Sequence, residues 1–402
     1  MTITVIGYDG SPLNDEAQQA VAAAELLIGG ARHLEAVGPP TGAEQRVLGP
    51  LDPALAGISE AHAAGRNVVV VASGDPGFFG IVRRLVAAEM RVTVLPARSS
   101  VSTAFARLGL PWEDAVVVSA HGRPLAPALN VLRRYGHGPA GVAVLTDADS
   151  SPAAIVAALG DECPDLHVFE HLGERTERHT EISATGLSRK EAERHPWEQP
   201  NVVVAGGLAV DDRQRWLGGP QVATRWALAD EEFAHREGMV TKREVRAAVL
   251  ARLAPAPGQL VWDIGAGSGS VGVECARLGA AVIAVEHDAE ALRDIASNCE
   301  SHGVPVQVVA GKAPEVLDGL PHPDAVFVGG GGPDVVHAVA DRRPQRVVVT
   351  LATVERLAPT LAALASYDVE TVLLQVQHLT PLGAGHRLSP ANPVFVVSGC
   401  LR

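Results

Sequence analysis

The chain has 402 residues, 47% of them hydrophobic and 20% charged, which fits a packed protein of two or three domains and excludes a disordered one. A formal net charge of −13 excludes a non-specific nucleic-acid binder, which needs a basic footprint. No apolar run reaches the ~20 residues of a membrane span, and no two cysteines form a Cys-x-x-Cys pair, so neither a membrane nor a structural metal is expected.

The first residues, Met1-Thr2-Ile3-Thr4-Val5-Ile6-Gly7, carry no basic leader and read as a strand, which predicts a soluble, cytoplasmic protein. Short β-branched runs then recur at Ile3–Ile6, Val68–Val71, Val92–Leu95, Val116–Val118, Val142–Leu145, His167–Phe169 and Val202–Val204. Ala- and Leu-rich stretches such as Asp15–Leu27 and Ile81–Glu89 separate several of them. This alternation predicts an α/β fold with a mainly parallel sheet covered on both faces. A polar stretch with Asp211-Asp212-Arg213-Gln214-Arg215 interrupts it, so the domains are set at 1–205 and 229–402, joined by a linker at 206–228. The alternation restarts with seven strands, at Leu260–Ile264, Val282–Val285, Val306–Val309, Ala325–Val328, Val347–Leu351, Thr371–Val376 and Val394–Val397. The last two lack a convincing helix between them, which predicts an antiparallel final pair.

The densest motif is Asp263-Ile264-Gly265-Ala266-Gly267-Ser268-Gly269-Ser270-Val271-Gly272, a strand running into a glycine turn and a helix. Glycines permit positive φ and close approach, and a helix N-terminus binds acidic groups. Two frames are open. Gly267, Gly269 and Gly272 satisfy the dinucleotide pattern G-x-G-x-x-G. Starting at Asp263, the run reads D-x-G-x-G-x-G, in which the Asp263 carboxylate meets the ammonium of a methionine moiety. Glu286, 21 residues after Gly265, ends the second strand, where a carboxylate accepts ribose hydroxyls. Gly311 and Ala313, after the third strand, are placed to border an adenine. In the first half, three loops follow strands: Gly74-Asp75-Pro76-Gly77-Phe78, Pro96-Ala97-Arg98-Ser99-Ser100-Val101 and Ser119-Ala120-His121-Gly122-Arg123. Open α/β sheets bind ligands at such carboxyl ends.

Asp230-Glu231-Glu232-Phe233 and Gly238-Met239-Val240-Thr241-Lys242-Arg243, with the glycine loop, Glu286 and Gly329–Gly332, resemble the decarboxylating methyltransferase family of cobalamin biosynthesis. The loops of the first half, with Leu145-Thr146-Asp147 and Glu170-His171-Leu172-Gly173-Glu174, resemble the tetrapyrrole methylase family over about 1–205. One departure stands out: Gly7-Tyr8-Asp9-Gly10-Ser11 lies where that family has G-x-G-P-G.

The resemblance implies an N-terminal tetrapyrrole methylase (class III methyltransferase) fold followed by a Rossmann-like class I methyltransferase fold. It implies one S-adenosylmethionine per domain, bordered by Gly74, Asp75, Phe78, Ser100 and Val101 in the first. In the second, Thr241 and the loop Gly265, Ala266, Gly267, Ser268 and Gly269 border it. It further implies a homo-oligomer. The two halves in this order resemble the fused enzymes that methylate a precorrin at C-5 and C-15 and remove the ring C acetate, giving precorrin-8. Such a substrate carries many carboxylates, so Arg98, His121, Arg123, Lys242, Arg243, His386 and Arg387 are expected to face it. The rival expectations are a nicotinamide-dependent oxidoreductase using the Gly267 frame and a methyl-donor-responsive binding module without catalysis.

Overall fold

The computed structural model describes residues 2–38, 42–48, 51–139, 141–206, 219, 225–236 and 240–402. Most of the linker expected at 206–228, and the Gly238-Met239 pair, lie outside the described residues. By contact the chain forms two compact units, Met1–Pro124 with Gly138–Gly219, and Leu125–His137 with Pro220–Arg402.

The first unit holds two five-stranded sheets. One is built from β1 (Ile3–Tyr8), β2 (Leu26–Gly29), β3 (Glu44–Val47), β4 (Val68–Ser73) and β5 (Val92–Leu95), in the order β3-β2-β4-β1-β5, all parallel. Alternate residues of its strands enter opposite cores: Ile3, Val5, Leu26, Ile28, Val68 and Val70 on one face, Ile6, Leu27, Val69 and Val71 on the other. This is why its central strands read as unbroken apolar runs. The Asp15–Leu27 stretch divides: its helix ends at Ala22, and Leu26 and Leu27 begin β2.

The second sheet holds β6 (Val116–Ser119), β7 (Val142–Leu145), β8 (Leu166–Glu170), β9 (Arg178–Ile182) and β10 (Asn201–Ala205), in the order β6-β7-β10-β8-β9. Only β6 and β7 are parallel; β10 runs against β7 and β8, and β8 against β9. The expectation of mainly parallel pairing is thus corrected here. A parallel return needs a crossover of a dozen or more residues. The seven residues between β8 and β9 cannot supply one, and the only helix between β9 and β10 is the four-residue Arg189–Ala192.

The second unit carries β11 (Leu260–Ile264), β12 (Ala281–Glu286), β13 (Gln307–Ala310), β14 (Ala325–Val328), β15 (Arg346–Leu351), β16 (Tyr367–Leu374), β17 (Gln377–Leu382), β18 (Gly385–Pro390) and β19 (Val394–Leu401). Its main sheet runs β13-β12-β11-β14-β15-β19-β16. All seven expected strands are present, and β16 and β19 pair antiparallel as expected. Between them stands the hairpin β17–β18, which exposes Leu379, Leu382 and Leu388 and which no alternation announced. Strand order reverses at β11: β12 lies on one side and β14 on the other. The carboxyl end of β11 therefore opens on a topological switch point, where such sheets bind ligands. The helix Ala126–Tyr135, though its sequence stands between β6 and β7, belongs to this unit. Asn130 Nδ2 donates to the Gly258 carbonyl at 3.1 Å and Arg134 Nε to the Ala276 carbonyl at 2.7 Å.

Candidate functional site

At the end of β11 the chain turns through three glycines of positive φ, Gly265 (67°), Gly267 (55°) and Gly269 (74°), into the helix Ser270–Arg277. Gly272 is different: it is helical, and a Cβ there would stand 2.9 Å from Asp263 Oδ2. It is glycine because a carboxylate lies on the helix. Such close packing of the helix on its strand requires a glycine at 272 in either frame.

Asp263 is fully buried. Its Oδ2 accepts from the Gly272 amide at 2.8 Å, and Oδ1 has no partner among the described residues. Burial pushes this carboxyl up to about 7, against the Gly272 bond and with help from the Glu286 charge. Ser268 Oγ, also buried, is likewise without a partner among the described residues. Glu286, at the end of β12, reaches back to the loop. Its Oε2 accepts from the Gly267 amide at 2.9 Å, and Oε1 from the His287 and Asp288 amides at 2.7 and 3.0 Å. Burial would raise this carboxyl, but those three amides outweigh it and hold it below its ordinary value. Gly311 donates its amide to the Glu286 carbonyl at 2.9 Å, which brings the loop after β13, with Ala313, alongside. Two buried carboxyls at the glycine loop suit a cationic group and repel a pyrophosphate, which weighs against a dinucleotide.

Sequence reasoning missed what braces this loop. Arg246 is fully buried; its Nε donates to Glu274 Oε1 at 2.7 Å, Nη1 to the Thr241 carbonyl at 2.5 Å, and Nη2 to the Leu228 carbonyl. Its guanidinium lies 4.5 Å from the centre of the Phe233 ring. Glu274 accepts further bonds from the Ala227 and Leu228 amides. Asn298 ties Ala234 to the loop itself, donating to the Ser268 carbonyl at 2.8 Å. The available signal was a cation between Val245 and Val249 on a buried helix face. Lys242 sits 3.5 Å from Asp230, Arg243 is exposed at the start of its helix, and His386 and Arg387 stand exposed on the β17–β18 hairpin.

In the first unit, the carboxyl ends of β1 and β4 face the loops after β5 and β8 across a cleft of about 90 Å³. Gly74, Arg98 and Ser100 line it; Asp75 and Phe78 follow Gly74 in its loop, and Val101 follows Ser100 in the helix Ser100–Leu108. Asp75 shapes its loop, accepting the Gly77 amide at 2.8 Å. Val101 is core, in one cluster with Phe105 and Phe169. Arg98 is held by Asp9 at 2.7 Å and by Ser11. A further cation, Arg32, lines the cleft between Glu174 at 2.6 Å and Ser73 at 2.9 Å. It follows β2 directly, so recognising that strand would have found it. Arg123 lies 5.4 Å over the Phe79 ring, so the loops after β4 and β6 meet, and His121 Nδ1 faces the Thr146 carbonyl, just after β7, at 3.1 Å.

Two family models match the chain: Tetrapyrrole (Corrin/Porphyrin) Methylases over residues 7–187, and Precorrin methyltransferase domain over 231–399. A precorrin-6Y C(5,15)-methyltransferase [decarboxylating] of a Sinorhizobium species is 38% identical, over 98% of this chain and 94% of its own. One from Mycobacterium tuberculosis is 33% identical, over 97% and 96%. A cobalt-precorrin-6B C(15)-methyltransferase (decarboxylating) of Salmonella typhimurium is 36% identical, over 42% of this chain and 94% of its own. With both models in order and relatives aligned along nearly its whole length, the chain belongs to the precorrin-6Y C5,15-methyltransferase (decarboxylating) family.

Proposed function

We propose that this chain methylates precorrin-6Y at C-5 and C-15 and removes the ring C acetate as carbon dioxide, giving precorrin-8. The N-terminal unit serves C-5; the C-terminal unit serves C-15 and the decarboxylation. The observation that carries the reading is the full-length relationship to enzymes of that name, spanning two different methyltransferase models. The Salmonella relative, named for C-15 and decarboxylation alone, aligns over 42% of the chain, a length that fits one half and leaves C-5 to the other.

Each unit takes its own S-adenosylmethionine. The residues of the C-terminal loop fit that group, because a buried carboxylate oxygen and a buried hydroxyl without partners among the described residues adjoin three turn glycines at a helix start. Asp263 takes the ammonium, and the loop amides with the N-terminus of Ser270–Arg277 take the carboxylate. Glu286 takes the ribose, since two carboxylate oxygens offer about four acceptor positions and three are filled. Gly311 and Ala313 border the adenine, and Thr241 closes the near side. In the N-terminal unit, Gly74, Ser100 and their neighbours Asp75, Phe78 and Val101 border the donor, largely through backbone.

When bound, S-adenosylmethionine supplies a methyl group already activated on a sulfonium. The chain itself holds and aligns the substrate's meso carbon, a contribution worth roughly 7–11 kcal/mol. The conjugated macrocycle serves as electron sink for the decarboxylation, so no protein nucleophile is needed. Mass spectrometry of the product from precorrin-6Y and methyl-labelled donor tests the reading. Two labelled methyl groups and one lost carbon dioxide are expected; label without that loss would overturn the role of the C-terminal unit.

A further inference from the structure

In the C-terminal unit, the carboxyl ends of β14 and β15 open onto a cleft of about 140 Å³. One wall is bare backbone, Gly329 to Gly332. The opposite wall is Thr350, Thr353 and Arg356, from the end of β15 and the turn that follows. Its floor includes the buried Val328 and Leu351.

The glycine wall has two sides. On one it packs against the donor loop: the Gly329 amide donates to the Ile264 carbonyl at 2.9 Å, and a Cβ on Gly265 would stand 2.9 Å from the Gly330 nitrogen. On the other it lines the cleft. No side chain of Gly329–Gly332 separates the cleft from the loop, so a flat molecule seated there lies next to whatever the loop holds. Arg356 is exposed at the rim and makes no ion pair among the described residues.

We propose that this cleft seats the acid-bearing edge of the tetrapyrrole, and that Arg356 binds a carboxylate the substrate keeps. The inference rests on the functional reading above and assigns a site within it. An apolar floor suits the macrocycle edge, and a guanidinium takes a carboxylate through two parallel bonds. The departing acetate is the wrong partner. A cation fixed on it would stabilise the charge that is lost on the way to carbon dioxide, and so would slow that step. Arg356 therefore holds the substrate by a different arm.

The test is Arg356→Gln in the full chain, assayed with precorrin-6Y and labelled donor. Removing a charge-assisted pair should raise KM for C-15 methylation roughly 10- to 100-fold, with kcat little changed. Decarboxylation should fall in parallel. Arg356→Lys should recover part of the loss. Donor affinity, C-5 methylation and melting temperature should stay as in the wild type, because the side chain is exposed and outside both donor loops. An unchanged KM, a loss of donor affinity, or a change in the ratio of decarboxylation to C-15 methylation would overturn the proposal. A wild-type protein that transfers no label would sink the functional reading, and this inference with it.

Discussion

Asp263 is a carboxyl group that water does not reach, with a neighbouring acid and one oxygen unpartnered among the described residues. Its folded-state pKa, about 7, lies above the ordinary 3.8. Between those values the native state keeps a proton that the unfolded chain has lost. Stability of the ligand-free protein therefore falls as pH rises through that window and levels off above it. A cationic ammonium needs the ionised form, so donor affinity at this site should weaken as pH drops below about 7. Asp263→Asn should flatten both dependences and weaken binding, as melting curves and calorimetry between about pH 5 and pH 8 would read; an unaltered affinity profile would remove Asp263 from the donor site. Glu286 makes a second case. Glu286→Ala strips three backbone amides of their acceptor and, if the proposed donor site is right, the ribose of its partner. Melting temperature and donor affinity should fall together, the affinity by about one to two orders of magnitude at roughly 1.5–3 kcal/mol per charged bond. Donor affinity that survives the substitution refutes the ribose assignment.

At the scale of elements, the glycine loop is held by residues remote from it in sequence. The helix Arg243–Leu253 sends Arg246 to Glu274 on the helix that follows the loop; both fasten Leu228, and Glu274 also holds Ala227. A buried ion pair is not a large source of net stability, but breaking it leaves an uncompensated charge. Arg246→Met should therefore cost about 3–5 kcal/mol, read as a lowered denaturation midpoint. If the variant unfolds as the wild type does, the pair is not the brace described. The turn Gly74–Phe78 is the counterpart in the N-terminal unit, where Asp75 accepts the Gly77 amide.

At the scale of the molecule, the proposal gives the two units separate chemistries, which a change in a single turn should uncouple. Asp75→Ala should suppress C-5 methylation while leaving a product methylated at C-15 and decarboxylated, visible by mass spectrometry. Loss of decarboxylation in that variant, with donor binding at the C-terminal site intact, would contradict the assignment of one reaction to each unit.

Much of this was readable from residues in a row. Val68–Val71 and Val282–Val285 are buried on both faces, and such stretches read as unbroken apolar runs. The Gly265–Gly269 spacing likewise announced the turn of positive-φ glycines, because backbone conformation is a local property. Edge strands stayed silent: β3 is exposed along its whole length and β9 is mostly polar, so neither needs an apolar signature. The frame of the glycine motif was open in sequence, and only the fold shows that two buried carboxyls, Asp263 and Glu286, meet beside it. The helix Ala126–Tyr135 belongs by contact to the unit that the chain reaches some ninety residues later. Arg246 finds Glu274, and Asn298 finds Ser268, across gaps that carry no periodic signal. Sequence determined the turns and core strands because neighbours along the chain fix them; which distant side chains meet was decided by packing alone, where a buried charge or amide must find its partner.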